Sequence, residues 1–328
     1  MVGVNRPAGK SAPGLLGLHP IMLGTVCCVF SALGYTAVNI CLRFLTVNCD
    51  QVFVIFIKEL VAVVIVGPWL IWGVFSRRVA LPSARMLAVL VVTGLLTQLC
   101  ANLPIIWAMS VVGLAITIPV CMGVNLIASA LIARTVLGER VSKKSAAAIG
   151  FLVASIAILG MGASQANASM AAATGAAAGT FWVVAGVAAA GISGCIFALL
   201  AVVIRRSVTG GVSLDTVIFI ITAMGVVSLG PLSLWSEGAG LLTTPPRDLS
   251  LMLLAGVLNM VSFLAVVKGL QLTTVAHANV LGASQVAMAV VAGTVLFAEP
   301  PNPWLIVGVS LTIVGMILIE GTVEEAPV

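Results

Sequence analysis

The sequence predicts an all-α integral membrane protein with ten transmembrane helices, arranged as two inverted five-helix repeats. Three observations support this prediction: the composition, the number of long apolar segments and a short phrase that occurs twice. Of the 328 residues, 61% are hydrophobic and only 8% are charged, whereas soluble domains carry about 25% charged residues. Such a chain is expected to lie in a bilayer. Because lipid offers no partner to backbone N–H and C=O groups, the long segments should be helices.

Ten apolar segments are long enough to cross a bilayer, which takes about 20 residues for about 30 Å of hydrocarbon. Those of the first half are Pro20–Leu42, Val52–Phe75, Met86–Met109, Gly113–Leu137 and Ser145–Ala163. Those of the second half are Thr180–Ile204, Leu214–Trp235, Leu249–Leu270, Val275–Phe297 and Pro303–Glu320. The chain is therefore predicted to consist of a cytoplasmic N-terminal tail (1–19), a first repeat (20–163), an external linker (164–179), a second repeat (180–321) and a cytoplasmic C-terminal tail (322–328).

A duplicated phrase indicates that the two halves are related. ARTVLGE ends at Glu139 and AGTVLFAE ends at Glu299, each where the fourth apolar segment of its half gives way to a loop. The two loops differ in charge, because LGERVSKK is basic whereas FAEPPNPW contains no Lys or Arg. Five helices are an odd number, so the second half must cross the membrane in the opposite sense. Similar sequence with dissimilar loop charge predicts an inverted-topology duplication.

The positive residues set the orientation, since Lys and Arg accumulate in cytoplasmic loops. With both termini inside, only Arg43 and Arg247 of the 15 Lys and Arg residues fall in outer loops, and only Lys58 and Lys268 lie within spans. We expect a multi-pass protein of a bacterial plasma membrane with both termini in the cytoplasm. The inner membrane surface then explains the net charge of +5, which requires no nucleic-acid partner.

Polar residues inside the spans share helix faces at i, i+4 spacing, which predicts a polar cavity. A shift of 160 residues, the difference between 285 and 125, pairs Asn125 with Gln285, and such duplications bind substrate near mid-membrane between the repeats. The alternative for each residue is a hydrogen bond between helices, which contributes about 0.6 kcal/mol on average. Ser31, Ser129 and Ser262 are interpreted as packing residues of that kind. The candidate substrate-binding residues are Tyr35, Asn39, Lys58, Gln98, Asn102, Thr117, Asn125, Asn259, Ser284 and Gln285.

Two ionisable residues inside spans are candidates for proton coupling. Glu59 is the only carboxylate well within a span, and His277 of the ninth span is of a residue type that titrates near neutral pH. Neighbouring residues of a helix point about 100° apart, so Lys58 and Glu59 are not expected to pair directly. A structural ion pair for Glu59, snorkelling of Lys58 to the outer interface and solvation of His277 remain open as alternatives.

Each half also contains a Gly-punctuated fifth segment, AIGFLVASIAILGMG and IVGVSLTIVGMILIEG, after the fourth segment that closes on Glu. In these features nearly the whole chain resembles the drug/metabolite transporter superfamily and, within it, the EamA-type permeases. The resemblance implies a ten-helix carrier with a central cavity that moves amino acids, other metabolites, drugs or sugar conjugates, often outward. The chain departs from the family in the middle of the fourth and ninth helices, where Asn125 and Ser284 or Gln285 stand near a usual Pro.

These observations favour secondary transport of a small polar or amphipathic metabolite by alternating access, with export suggested by the resemblance alone. A flippase or transporter of lipid-linked or nucleotide sugars is one alternative, and a membrane scaffold without transport is another. An enzyme is not expected, because no acid, base or metal groups converge and neither GxxxxGK[ST] nor HExxH occurs. The expected partners are the small-molecule substrate, membrane lipid, protons as a coupling ion and a second copy of the chain, with no cofactor or metal.

Overall fold

The computed structural model describes residues 20–46, 49–76, 82–137, 143–174, 179–237, 244–272, 275–299 and 301–320. In these residues the chain forms eleven α-helices and one π-helical turn. The first half contains α1 (Pro20–Leu45), α2 (Gln51–Phe75), α3 (Ala84–Thr97), the π-helical turn (Gln98–Asn102), α4 (Leu103–Val112), α5 (Leu114–Leu137) and α6 (Lys143–Thr174). The second half contains α7 (Thr180–Thr209), α8 (Leu214–Glu237), α9 (Pro246–Leu272), α10 (Val275–Phe297) and α11 (Pro303–Glu320).

The helices coincide with the apolar segments found in the sequence, and the chain is a multi-pass membrane protein. Seven segments of the described residues are long and apolar enough to cross a membrane by length and composition. They are Met22–Leu45, Gln51–Phe75, Ala84–Val112, Leu114–Ile132, Thr180–Val208, Leu214–Ser236 and Pro246–Gly269. Three further apolar helices are shorter, namely Ala147–Gly162, Ser284–Phe297 and Pro303–Leu318. The number of ten spans therefore stays a prediction.

α6 is longer than the sequence predicts. The external linker is expected to begin at residue 164, but α6 continues to Thr174. The added segment, SQANASMAAAT, is rich in Ala, which has the highest helix propensity of all residues. Loss of hydrophobicity therefore marks the end of the apolar segment here without marking the end of the helix.

The helix pairs follow a pattern that is symmetric between the two halves. α1 packs on α9, and its counterpart α7 packs on α3, the π-helical turn and α4, which together correspond to α9. α1 also packs on α10, just as α7 packs on α5. α2 packs on its own counterpart α8, and α6 packs on its counterpart α11. Exchange of the halves therefore leaves the main helix pairs unchanged.

Two glycine contacts between α2 and α8 repeat this symmetry at the level of single residues. A Cβ atom at Gly67 would lie 3.1 Å from Cε2 of Phe219, and one at Gly230 would lie 3.0 Å from Cε2 of Phe56. The same shift of 163 residues relates both members of the two contacts, since 230 − 67 and 219 − 56 are equal. Each helix thus presents a glycine to the same aromatic residue of its counterpart.

The contact of α5 with α7 depends on Gly194, and we expect Gly194→Ala to lower the free energy of unfolding by about 1 to 3 kcal/mol. A Cβ atom there would collide with the backbone oxygen of Cys121 and lie 2.9 Å from the backbone nitrogen of Asn125. Gly191→Ala is the matched control, because its Cβ would lie 3.6 Å from Val124. Thermal unfolding in detergent measures both. Equal melting temperatures for the two variants would contradict this account of the interface.

Candidate functional site

A cavity of about 480 Å³ lies between the two halves of the protein. The first half contributes walls from α1, α2, the α3 to α4 segment and α5, and the second half contributes α7, α8, α9 and α10. Of the residues predicted from the sequence, those lining the cavity are Tyr35, Asn39, Lys58, Glu59, Gln98, Asn102, Asn125, Asn259 and Gln285. The remaining walls are largely apolar and include Ile105, Ile118, Met122, Phe197, Met260 and Phe263.

The other three predicted residues lie elsewhere or are not described. Thr117 is buried, does not line the cavity, and donates its hydroxyl to the carbonyl of Gly113 at 2.6 Å. Ser284 is exposed outside the cavity, and its hydroxyl donates to the carbonyl of Leu281. His277 belongs to α10, but its side chain lies outside the described part of the structure. Thr117 and Ser284 therefore do not belong to the proposed binding set.

Lys58 and Glu59 form an ion pair inside the protein, with 2.9 Å between Nζ of Lys58 and Oε1 of Glu59. Their side chains are 5% and 4% exposed. The expectation that these neighbours do not pair is therefore wrong. The 100° between their Cα–Cβ bonds does not prevent contact, because the four-carbon stem of Lys is long and flexible enough to return to the adjacent carboxylate. The pair makes the charged part of the cavity wall electrically neutral.

Gln98 and Asn102 extend this ion pair into a hydrogen-bond network. Asn102 donates from Nδ2 to Oε1 of Glu59 at 3.4 Å and to Oε1 of Gln98 at 2.6 Å. Gln98 in turn donates from Nε2 to the carbonyl of Ile221 on α8 at 3.2 Å. The network thus links α2, the π-helical turn and α8.

The π-helical turn that carries these two amides follows from Pro104. Proline has no N–H for the carbonyl four residues earlier, which is that of Cys100. The N–H of Leu103 bonds to the carbonyl of Gln98, five residues back, so the helix widens by one residue before α4 resumes. Such π turns occur often at functional sites. Here the turn lies where the helix faces the cavity.

Several cavity side chains have no hydrogen-bond partner within the described part of the protein: Tyr35, Asn39, Asn259 and Gln285 appear in no described hydrogen bond. Among described side chains, only the hydroxyls of Ser233 and Ser262 are fully buried without a partner, so the cavity amides keep access to open space. Other polar residues of the spans, such as Ser193, bond to backbone carbonyls. Unpartnered polar groups in a membrane are costly, and a polar substrate or water in the cavity would satisfy them.

One end of the cavity is closed by a cluster around Glu299. Its Oε1 accepts from Nε of Arg43 at 3.1 Å and from the N–H of Leu114 at 3.0 Å, and its Oε2 accepts from the N–H of Ala115 at 2.9 Å. A negative charge at the positive end of a helix is favourable, so Glu299 caps α5. We call Arg43, Glu299 and the N-terminus of α5 the Glu299 cluster, and the face at which α1 ends the Arg43 face.

Glycine makes room for the Glu299 cluster, and aromatic rings cover it. A Cβ atom at Gly113 or at Gly293 would lie 2.6 Å from the Glu299 carboxylate, and Gly113 has a φ of 82° that favours glycine. The guanidinium of Arg43 lies 5.3 Å from the ring centre of Phe297, and Ala298 takes a φ of 53° just before Glu299. Around the cluster the residues are fully buried and apolar; they include Leu45, Ile55, Ile106, Met109 and Leu114.

The sequence identified part of this cluster and missed the rest. Glu299 is predicted to be structural, which is confirmed, but it caps a helix of the other half and not its own following turn. Arg43 was not singled out because it was counted with the outer loop, although the long apolar segment before it was a signal that it ends a helix. Glu139, the counterpart of Glu299, lies outside the described residues. Within the described residues no three His, Cys, Asp or Glu side chains form a metal-ligand set.

Comparisons with known proteins agree with the resemblance stated from the sequence. The model of the EamA-like transporter family matches residues 172–321, which identifies the second half of the chain with that family and with the drug/metabolite transporter superfamily. No curated protein matches the chain in a sequence search. One crystal structure of a protein aligns with 93% of this chain and 96% of its own at a TM-score of 0.53 and 15% identity. At this identity the likeness concerns the fold alone.

The Glu299 cluster leads to a stability prediction. Glu299→Gln removes the charge that Arg43 and the N-terminus of α5 share, and leaving one partner of a buried ion pair costs about 3 to 5 kcal/mol. Asp50→Asn is the matched control: Asp50 caps α2 through a bond from the N–H of Phe53, and Asn is an equally good N-cap. Thermal unfolding in detergent should separate the two variants clearly. A loss as small in Glu299→Gln as in Asp50→Asn would contradict this role for Glu299.

Proposed function

We propose that this chain, whose residues 172–321 match the EamA-like transporter family, is a secondary carrier that moves a small amphipathic metabolite by alternating access. The observation that carries the proposal is the cavity between the two halves, whose side-chain amides lack protein partners. Its volume of about 480 Å³ lies in the range of about 300 to 1,000 Å³ that is usual for small-molecule pockets. The substrate would occupy the space in which Asn39, Asn125, Asn259 and Gln285 face one another.

Two inverted five-helix repeats would supply the two states of this carrier. The symmetric helix pairs and the reciprocal contacts of Gly67 and Gly230 support a twofold relation between the halves. Halves of opposite orientation can exchange roles, so that inward-open and outward-open forms have similar energies. The loop charges favour both termini in the cytoplasm, which makes the Arg43 face the outer one. The described structure then corresponds to a form closed to the outside.

The charge of the cavity favours a neutral or zwitterionic substrate. Lys58 and Glu59 cancel each other, and a net charge brought into a low-dielectric site is costly unless it is compensated. Lys58 keeps spare donors, and Oε2 of Glu59 accepts no hydrogen bond from a described residue. A zwitterion can therefore place its anionic group near Lys58 and its cationic group near Glu59. The apolar walls, such as Phe197 and Phe263, suit a hydrophobic remainder.

The alternatives fit these observations less well. A lipid-linked or nucleotide sugar carries phosphate, and of the basic residues only Lys58 lines the described cavity, where Glu59 already engages it. A scaffold without transport would not need amides that lack partners. Export in preference to import rests on the family alone. Glu59 is the candidate for proton coupling within the cavity, with His277 a second one at the predicted inner end of α10.

The charge preference can be tested with three compounds that share a branched alkyl chain. L-Leucine is zwitterionic, 3-methylbutylamine is cationic and 4-methylpentanoate is anionic. We expect L-leucine to raise the melting temperature of the purified protein and to exchange in proteoliposome counterflow, with the two ions weaker by at least about tenfold, because each leaves a net charge in the cavity. Asn125→Ala and Gln285→Ala should fold normally and bind L-leucine about tenfold more weakly. Equal binding of all three compounds would contradict the charge argument.

Alternating access can be tested through Cys121, which lines the cavity. In a variant that keeps only this cysteine, a membrane-impermeant thiol reagent should label Cys121 from the face opposite Arg43 and not from the Arg43 face. Glu299→Gln should add labelling from the Arg43 face by loosening the cluster that closes it. Arg43→Gln, which leaves the helix cap in place, should act in the same direction with a smaller effect. Labelling of the parent from the Arg43 face alone would rule out the proposed closed form.

A further inference from the structure

α8 approaches the ion pair most closely at Gly225. A Cβ atom at this position would lie 2.8 Å from Cγ of Glu59 and 3.0 Å from Cδ of Gln98. Glycine is unfavourable inside a helix, so a glycine at the centre of α8 calls for a packing reason. The reason here is that α8 could not carry a larger residue without displacing Glu59 and Gln98. The two side chains therefore pack directly against the α8 backbone.

A continuous chain of polar contacts leads from the ion pair to the same part of α8. It begins with Lys58 and Glu59, passes through Asn102 and Gln98, and ends at the carbonyl of Ile221. Ile221 precedes Gly225 by one helical turn. Contact with Gly225 and the bond to Ile221 thus place one short stretch of α8 against both ends of the network.

The symmetry of the halves explains why this link uses backbone and not charge. The shift of 163 residues that relates α2 to α8 pairs Lys58 with Ile221 and Glu59 with Thr222. α8 therefore has no ionisable side chain where α2 has its ion pair. The carbonyl of Ile221 and the missing side chain of Gly225 are what α8 offers to the network at that level. The charge of this region lies in the first half, and its support lies in the second.

We propose that Gln98 and Gly225 are positioning residues that make the ionised state of Glu59 depend on the packing of α8 against α2. The proposal rests on the proposed function, in which α8 moves with the second half. While α8 is in place, Ile221 anchors Gln98, and Gln98 orients the amide of Asn102 toward Glu59. A donor to a carboxylate favours the charged form. When α8 moves away, Gln98 loses its anchor and Asn102 its orientation, so Glu59 takes up a proton more easily.

Reciprocity turns this dependence into coupling between a proton and a helix. If the position of α8 changes the proton affinity of Glu59, then protonation of Glu59 must change the preference of α8 by the same free energy. The other titratable side chains that line the described cavity with Glu59 are Lys58 on α2, Tyr35 on α1 and Cys121 on α5. α8 and α9 add none to the lining within the described residues.

Dicyclohexylcarbodiimide tests the proposal because it reports directly on protonation of Glu59. This apolar reagent reacts with a protonated carboxylic acid: the carboxylate oxygen bonds to the carbodiimide carbon and the proton passes to one nitrogen, so the acid adds across a C=N bond and nothing is released. The full chain would be treated in detergent from about pH 5 to about pH 9. Mass spectrometry of the peptide that contains Glu59 gives the labelled fraction, with Glu59→Gln as the blank. Labelling falls as the pH rises through the midpoint at which Glu59 ionises.

We expect Gln98→Leu and Gly225→Ala to move this midpoint upward by about one pH unit, because both take a hydrogen-bond donor away from the carboxylate. Asn102→Ala should move it in the same direction. Gly230→Ala is the matched control on the same pair of helices, since its Cβ would lie 3.0 Å from the Phe56 ring, away from the network. Its midpoint should equal that of the parent. Gln98→Leu adds no volume to α8, so it keeps the test informative if Gly225→Ala folds poorly.

Identical labelling of the parent, Gln98→Leu and Gly225→Ala at every pH, including no labelling at all, would overturn the proposal. An equal upward movement in Gly230→Ala would also overturn it, because the effect would then come from general loosening of α8. Counterflow of L-leucine tests the proposed function separately. A midpoint shift without counterflow would reject transport of that probe and keep the link between α8 and Glu59, whereas counterflow without a shift would do the reverse.

Discussion

A polar atom inside a bilayer must find its partner within the protein, because hydrocarbon supplies none. The Glu299 cluster follows from this constraint. The N-terminus of α5 leaves N–H groups without helical partners, and Glu299 of the second half satisfies two of them while Arg43 balances its charge. Gly113 and Gly293 are needed because the carboxylate fills the space that a side chain would take. One carboxylate thereby joins α1, α5 and α10 and closes the Arg43 face.

The cavity is the place where the same constraint is not met by the protein. Its amides have no described protein partners, and its ion pair has hydrogen-bonding capacity left over. Such a surface is stable only when water or a ligand occupies it. A hydrophobic compound would leave the amides unsatisfied, and an ion would leave a net charge. The physical requirement of the site therefore selects a molecule that is polar at one end and uncharged overall, which is a narrower class than the family resemblance implies.

The sequence was sufficient to predict the helices and most of the polar cavity residues, since intramembrane amides are few and easily seen. It was wrong about Thr117 and Ser284 for a chemical reason. A Ser or Thr hydroxyl reaches the carbonyl one turn earlier on its own helix, as both residues do, so spacing alone cannot distinguish such a residue from one that faces a cavity. It also excluded the pair of Lys58 and Glu59 by considering Cα–Cβ directions without the length of the Lys stem. The cap that Glu299 provides to another helix lay 185 residues from its partner Leu114, beyond what local pattern can reveal.

The two halves share a scaffold but differ in charge, and this difference has a mechanistic consequence. A symmetric scaffold makes the two open forms similar in energy, so a small bias suffices to shift the balance between them. Lys58, Glu59, Gln98 and Asn102 all belong to the first half, and α8 contributes only the Ile221 carbonyl and the space at Gly225. Movement of one half against the other must change the surroundings of Glu59, because part of those surroundings belongs to the other half. A charge placed off the symmetry axis, and held by the opposite half, is what allows proton or ligand binding to favour one form over the other.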